Sequence, residues 1–347
     1  METIKITSWN VEHLMRLIEE PLSSYETERR AAVVAEIEAI NPDILCLIEG
    51  PRGETNIDSF TENLLGGRWQ AVKAPDGKYG IRGNQWMWFL VKQELLPMAS
   101  LLPVDTWDAF TEPNWQVHYW GNFDSVSHKH WRHPQVLVLD WHGFRVEFIG
   151  LHLKSKYVNR GQSMWKAGGA EREEFILGAI KARIKLTTEA ANVRKYVDQK
   201  FEQTEKPAIF VMGDLNDGPG KETFENQYLF FDLMSNIQGD IFSANKFLNH
   251  ALFDFPGHLR WTVKFKDFVQ DSDLPADQRK ARPILLDHIL FTQGLCDGSL
   301  LWQVESHAGM VEHEIHDLIN APLNSKEKTS DHKPVSVIAT IKTPETP

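Results

Sequence analysis

The chain has 347 residues, 42% of them apolar, and a formal net charge of −11. That apolar content supports a large core and excludes a disordered chain. The negative charge argues against a protein that grips nucleic acid through a broad basic surface, while leaving room for an enzyme that uses a few local cations.

Met1 is followed almost at once by an apolar strand over residues 4–9, with no room for a signal segment, and no apolar run reaches about 18 residues. The expectation is a cytoplasmic chain without a transmembrane segment. The first strand ends in Asn10. Ser23 and Glu26 have capping-box spacing, and Val33, Val34, Ile37 and Ile40 then form one helical face that stops at Asn41-Pro42. A strand over residues 43–48 ends in Glu49, so strand, helix and strand begin an α/β layered domain. A short helix is expected over residues 58–65, with strands over 69–73 and 85–91. Two cysteines give neither a disulfide framework nor a zinc spacing; Cys46 reads as a core thiol and Cys296 as a bystander.

Over residues 101–133 the periodicity fades while Trp107, Trp115, Trp120 and Trp131 accumulate, which marks a long insertion. Its tryptophans are expected to pack the loop onto the body, the functional alternative being stacking on bases or covering a hydrophobic substrate. His128, His130 and His133 lack the companions of a metal set and read as an exposed loop, and Glu312, His313 and His316 fail the HExxH order. Residues 135–141 and 145–153 pair as a hairpin around His142-Gly143. Alternation puts Glu147, Ile149, Leu151 and Leu153 on one side. Phe148, His152, Lys154 and Lys156 fall on the other, if the strand runs that far.

The longest helix is expected over residues 168–200, with Arg172 near its start. Residues 208–220 read AIFVMGDLNDGPG, an apolar strand that stops at Gly213-Asp214 with Asn216 beyond. Arg260, Lys264, Lys266, Arg279, Lys280 and Arg282 are interleaved with aspartates and read as a solvated mixed-charge loop or a polyanion track. A strand over residues 285–291 carries Asp287, and Ser330-Asp331-His332 precedes the alternation of Val335, Val337 and Ala339. Six polar sites thus stand near strand ends between residues 10 and 332. One convergent pocket accounts for all of them, so residues 1–342 read as a single domain and 343–347 as a short tail.

Glu49 and Asp331, helped by the Asn10 oxygen, are a donor set for a hard cation. Magnesium fits it, with manganese as a substitute, better than zinc does. His332 can move a proton near neutral pH with Asp287 fixing its tautomer, and Asp214, held by Asn216, can orient or deprotonate a water. His152 can stabilise charge growing on phosphoryl oxygens. Together these groups point to phosphate-ester hydrolysis.

The motifs WNVEHL, LCLIEG, GLHLKSK, GDLNDGPG, LLDHILF and SDHKPV, in this order over residues 3–342, resemble the endonuclease/exonuclease/phosphatase family. Its members include deoxyribonuclease I-like nucleases, abasic-site endonucleases, sphingomyelinases, deadenylases and inositol polyphosphate 5-phosphatases. The resemblance implies a four-layer α/β/β/α sandwich of two packed mixed sheets, with the site at one end. It implies Asn10 and Glu49 as the metal pair and His152 as the phosphate-contacting or acid histidine. Asp214 and Asn216 become the water- and phosphate-orienting pair, Asp287 the acid behind the histidine, and Asp331-His332 the terminal Asp-His. Ile48 departs from the pattern, standing where many members have glutamine.

RPILLDH lacks the Trp-Cys-Asp-Arg sequence usual in the inositol phosphatases. HLKSK followed by an Arg-bearing helix is nearer to bacterial nuclease-type members, which would make Lys154, Lys156 and Arg172 phosphate contacts. The expected activity is a magnesium-dependent nuclease on DNA or RNA. The alternatives are a phosphatase or phosphodiesterase acting on a small-molecule, inositol or lipid phosphate ester, and a non-catalytic polyanion-binding module. The motifs are equally compatible with endo and exo action and with monomer and dimer.

Overall fold

The computed structural model describes residues 2–111, 116–118, 125–219, 222–228, 232–275 and 277–342. Trp115, Trp120 and the tail 343–347 lie outside these. In chain order the strands are β1 (Glu2–Asn10), β2 (Ile44–Gly50), β3 (Trp69–Ala71), β4 (Trp86–Lys92), β5 (Ala99–Leu101), β6 (Gln116–His118), β7 (Ser125–Ser127) and β8 (Gln135–Trp141). They continue as β9 (Phe144–His152), β10 (Ile209–Asp214), β11 (Leu248–His250), β12 (Val263–Lys266), β13 (Ala281–Ile284), β14 (Asp287–Thr292), β15 (Trp302–Val311) and β16 (Val335–Ile341). The helices are α1 (Ser24–Ile40), α2 (Glu54–Ser59), α3 (Asp108–Thr111), α4 (Gly161–Ala167), α5 (Gly169–Gln203), α6 (Thr223–Tyr228), α7 (Leu233–Gln238) and α8 (His313–Asn320).

Two six-stranded sheets run β15-β16-β1-β2-β4-β3 and β11-β14-β10-β9-β8-β5. Each has one parallel pair at its centre, β1 with β2 and β9 with β10, and is antiparallel elsewhere. A parallel pair needs a crossover, and helices supply both: α1 joins β1 to β2, while α4 and α5 join β9 to β10.

The sequence forms these elements for local reasons. Both hydrogen bonds of the Ser23/Glu26 capping box start α1, and Asn41 ends it in a left-handed conformation before Pro42. His142 and Gly143, at φ 52° and 85°, form the two-residue turn that closes β8 on β9. The helix expected over 58–65 instead starts at Glu54 and passes at Phe60 into a π-helical turn.

The sheets pack face to face. Phe148 of β9 and Phe210 of β10 stack at 5.1 Å, with the edge of Trp302 against Phe148. At Gly150 a Cβ would stand 3.0 Å from Met87 and Phe89 of the opposite sheet, so glycine permits the close approach there. Leu186, Ala190 and Val193 of α5 cover the outer face of the second sheet against Ile149, Leu151 and Val211. Val33 and Ile37 of α1 are buried on the first. Two mixed sheets between outer helices make the expected four-layer sandwich. Among the described helices, none is long and apolar enough to cross a membrane.

Candidate active site

Strand register brings the first three groups together. Asp214, the last residue of β10, lies opposite His152 in the parallel β9 and opposite Asp287 in the antiparallel β14. Residues in register share a face, and here it is the face between the sheets. Gly213 makes the approach possible: its φ is 143°, and a Cβ would fall 2.0 Å from the Leu151 carbonyl oxygen. Asn216, at φ 53°, donates its backbone N–H to Asp214 Oδ1 at 2.8 Å and its side-chain amide to the Leu153 carbonyl at 3.0 Å. From the other sheet, Asn10 Nδ2 donates to Asp214 Oδ2 at 3.1 Å.

His332 enters on the loop before β16. Its Nδ1 is 2.7 Å from Asp287 Oδ2, and Asp287 is wholly buried with its other oxygen unpartnered. Three groups outside the expected set hold this dyad. Ser330 Oγ donates to the Asn10 carbonyl at 2.7 Å and accepts the His332 N–H at 3.0 Å. Trp9 Nε1 donates to the His332 carbonyl, and Thr262 Oγ1 accepts the N–H groups of Leu286 and Asp287. Burial opposes charge on His332, yet Asp287, Asp214 and Asp331 outweigh it and push its pKa up to about 10. Burial pushes Asp214 up to about 7, with the Asp287 charge adding to the rise and His332 and its hydrogen bonds opposing it.

His152 is buried, with Nδ1 unpartnered and Nε2 3.7 Å from Asp214 Oδ2 and 4.0 Å from Glu49 Oε1. Burial, followed by the charges of Arg132, His332 and His13, holds its pKa well below the usual range, so the ring is neutral. Arg132, which sequence reasoning missed, donates to the His152 carbonyl at 3.2 Å.

Glu49 has φ 60°, and its Oε2 accepts the His13 N–H at 3.0 Å and lies 3.1 Å from His13 Nδ1. Its Oε1 accepts no hydrogen bond among the described residues. Asp331 is 65% exposed, 3.9 Å from His332 Nε2. Arg29 of α1 donates to the carbonyls of Val11, Glu12 and Thr329, and burial weakens its charged form against the charges of Glu12, Asp331 and Glu49. It therefore ties the Glu49 edge to the Asp331 loop.

Among the described residues, two acid groups are tight enough to share an ion, and neither includes Glu49 or Asp331. Asp214–Asp287–His332 is closed by its own hydrogen bond, and Asp217–Glu222–Glu225 is filled by a lysine. Glu49 Oε1 and Asp331 are the oxygens left open at this end, since Asn10 Oδ1 already accepts the Glu12 N–H at 3.0 Å.

The three expected phosphate contacts are otherwise engaged. β9 ends at His152, so alternation does not carry on to Lys154 and Lys156. Lys156 sits 2.8, 2.5 and 3.3 Å from Asp217, Glu222 and Glu225, three carboxylates that already neutralise it. Lys154 donates to the Ser155 carbonyl. Arg172 donates to the Trp165 carbonyl and lies 4.9 Å over that indole. The histidines expected on an exposed loop also differ: His128 and His130 are buried, 3.2 Å from Glu189 and 3.1 Å from Asn192 of α5. Trp107 packs on Tyr196 as expected, whereas Trp131 is 52% exposed. Of the mixed-charge segment, Arg282 is paired twice with Asp271.

A cleft of about 850 Å³ opens at Asn216, Asp331 and His332 and runs between α4 and the β12–β13 hairpin. No protein-family model and no curated protein matches the sequence. Solved structures do match. Truncated TDP2 of Caenorhabditis elegans is 14% identical over 97% of both chains, at a TM-score of 0.50. D. rerio TDP2, complexed with single strand DNA product, is 12% identical over 98% of this chain and 100% of that one, at 0.51. An endonuclease/exonuclease/phosphatase family protein of Bacteroides thetaiotaomicron is 14% identical over 99% of both, at 0.47. The likeness to the two TDP2 structures is one of fold.

Proposed function

We propose that this chain is a metal-dependent phosphodiester hydrolase, acting on DNA or RNA as a nuclease. The observation that carries the reading is the buried Asp214–His332–Asp287 constellation, in which an acid near pKa 7 stands beside an imidazolium held by a second acid. An acid with a pKa near ambient pH is matched to taking a proton in a transition state. Residues 10 to 332 all contribute, which supports reading 1–342 as one domain. The similarity to TDP2 bound to a single-stranded DNA product favours nucleic acid over other phosphodiesters.

Asp214 takes the proton of a water as its oxygen attacks phosphorus. Its two oxygens are aimed by Asn10 and by the backbone of Asn216. The P–O bond to the leaving group breaks, and that oxygen takes the electron pair and recovers a proton from cleft water. His332, kept charged by Asp287, offers Nε2–H to the phosphoryl oxygens as negative charge grows. His152, neutral and with Nε2 3.7 Å from Asp214 Oδ2, adds a second donor. Glu49 Oε1 and Asp331 would hold magnesium, with Asn10 Oδ1 offering the lone pair left by its Glu12 N–H bond, an all-oxygen set with room for waters. The ion supplies Lewis-acid polarisation of the phosphoryl group.

The test is hydrolysis of an aryl phosphodiester, its monoester, plasmid DNA and single-stranded RNA, with magnesium and with chelator. Chelator-sensitive cleavage of the diester and of a nucleic acid is the expected result, with the magnesium activation curve of Glu49→Gln displaced to higher concentration. Turnover that ignores chelator and Glu49→Gln overturns the metal assignment. Cleavage of the monoester alone overturns the diesterase reading. A second reading, hydrolysis of a small or lipid phosphodiester, rests on the apolar lining of the cleft.

A further inference from the structure

The cleft continues well past the reacting groups, and nothing in the chemistry above uses its far part. There Phe175 of α5 forms a buried floor, Phe268 meets it edge-on at 5.5 Å, and Phe265 of β12 stands 43% exposed. Arg160, at the start of α4, Lys166, at its end, and Lys266 line the same cleft and are exposed. None of the three forms an ion pair among the described residues. Deeper in, the cations Lys156 and Arg183 are spent on Glu222 and Glu225. In a chain of net charge −11, these three unpaired cations outnumber Asp267 and Asp331, the acids that line the same cleft outside the Lys156–Arg183 cluster, which suits a polyanion.

Exposed aromatic faces interleaved with cations are what successive unpaired nucleotides require, bases stacking on the rings and phosphates meeting the cations. Duplex bases hide their faces in their own stack and cannot use such a platform. We infer that this cleft holds the unpaired nucleotides flanking the scissile phosphate, a base on Phe265 and backbone phosphates on Arg160, Lys166 and Lys266, so that single strands are selected over duplex. The selection rests on the hydrolase reading of the dyad. A lipid chain would need an apolar entrance, whereas the mouth of this cleft carries charged groups of both signs, Arg160, Lys166, Lys266, Asp267 and Asp331.

The experiment measures fluorescence anisotropy of a labelled oligodeoxythymidine of about eight nucleotides, and of a duplex of equal length, bound to the full chain in chelator. The single strand is expected to bind at least about tenfold tighter than the duplex, and Phe265→Ala or Lys166→Glu each to weaken it about tenfold, the scale of one lost stacking or phosphate contact. Lys342→Glu, the same charge change at the end of β16 remote from His332, is the control and binds as wild type. Equal binding of duplex, or variants that bind as wild type does, overturns the inference. So does displacement of the oligonucleotide by phosphatidylcholine micelles with no effect of Lys166→Glu, which assigns the cleft to lipid. Wild-type turnover of the aryl diester is followed in parallel with magnesium. Turnover without strand preference overturns the inference alone, whereas strand preference without turnover overturns the hydrolase reading and leaves a binding cleft.

Discussion

Asn10 on one sheet donates its amide hydrogen to Asp214 on the other, 3.1 Å across the space between them. This bond lowers the cost of charge on an acid that burial alone would keep protonated. Asn10→Ala is therefore expected to reduce turnover of an aryl phosphodiester about 10²-fold, the usual scale for one directed donor. Asn10→Asp should be at least as severe, because it sets a like charge against Asp214. Turnover within threefold of wild type for either variant removes Asn10 from the site.

The His332–Asp287 pair separates charge from shape. His332→Ala leaves Asp287 buried and unpaired, so turnover should fall about 10³-fold while stability drops by about 3–5 kcal/mol. Asp287→Asn keeps a hydrogen bond to Nδ1 but removes the charge that holds His332 up, so its turnover should fall with a smaller loss of stability. Urea unfolding beside steady-state kinetics distinguishes the two. Equal stability losses in both variants would contradict the charge argument.

Acid sensitivity has an identifiable source. His250 Nε2 is 2.9 Å from His288 Nδ1, and His288 Nε2 is 2.7 Å from the Asp217 carbonyl. Burial holds His288 down to about 4 and His250 well below the ordinary range. Unfolded, both titrate near 6.5, so the unfolded chain binds more protons between pH 6.5 and 4. Stability is full above pH 6.5 and is lost as pH falls, by about 3 kcal/mol for His288 alone at pH 4. The melting temperature of His250→Gln should accordingly fall less steeply than that of wild type between pH 6.5 and 4.5. Parallel curves would show that these imidazoles are not the source.

Lys156 and Arg172 were both expected at phosphate, and the structure predicts different consequences for them. Lys156→Met strips the cation from three partly buried carboxylates and should destabilise the fold by about 3–5 kcal/mol. Arg172→Ala removes a stack on Trp165 and should cost about 1 kcal/mol. Thermal or urea denaturation checks both. A folded, stable Lys156→Met with weakened substrate binding would restore the phosphate role.

What was legible in the sequence were groups at the ends of apolar runs. Asn10, His152, Asp214 and Asp287 each close or open a buried strand, and period-two patterning fixes which sheet face they take, whereas Glu49, at φ 60° in the register shift between Ile48 and Gly50, departs from that alternation. Legibility failed where the chain leaves the sheets. Beyond His152 the alternation of Lys154 and Lys156 is a continuation of spacing without a strand to enforce it. His128 and His130 carry no periodicity, so only tertiary packing against α5 shows them to be buried. Arg29 looks like any polar residue on a helix, and Ser330 like any loop serine, because their partners are backbone carbonyls, which leave no trace in residue type.

The pairing of β1 with β16, Glu2 opposite Ile341 and Ser8 opposite Val335, bears on how the protein is made. The ribosome delivers Asn10 long before His332, and Ser330 is what clasps the two together. Until residues 330–341 emerge, the first sheet lacks the strand between β15 and β1, and Asp287 lacks its imidazole. Under the proposed chemistry, the reaction centre of a nascent chain therefore stays unassembled until β16 has emerged.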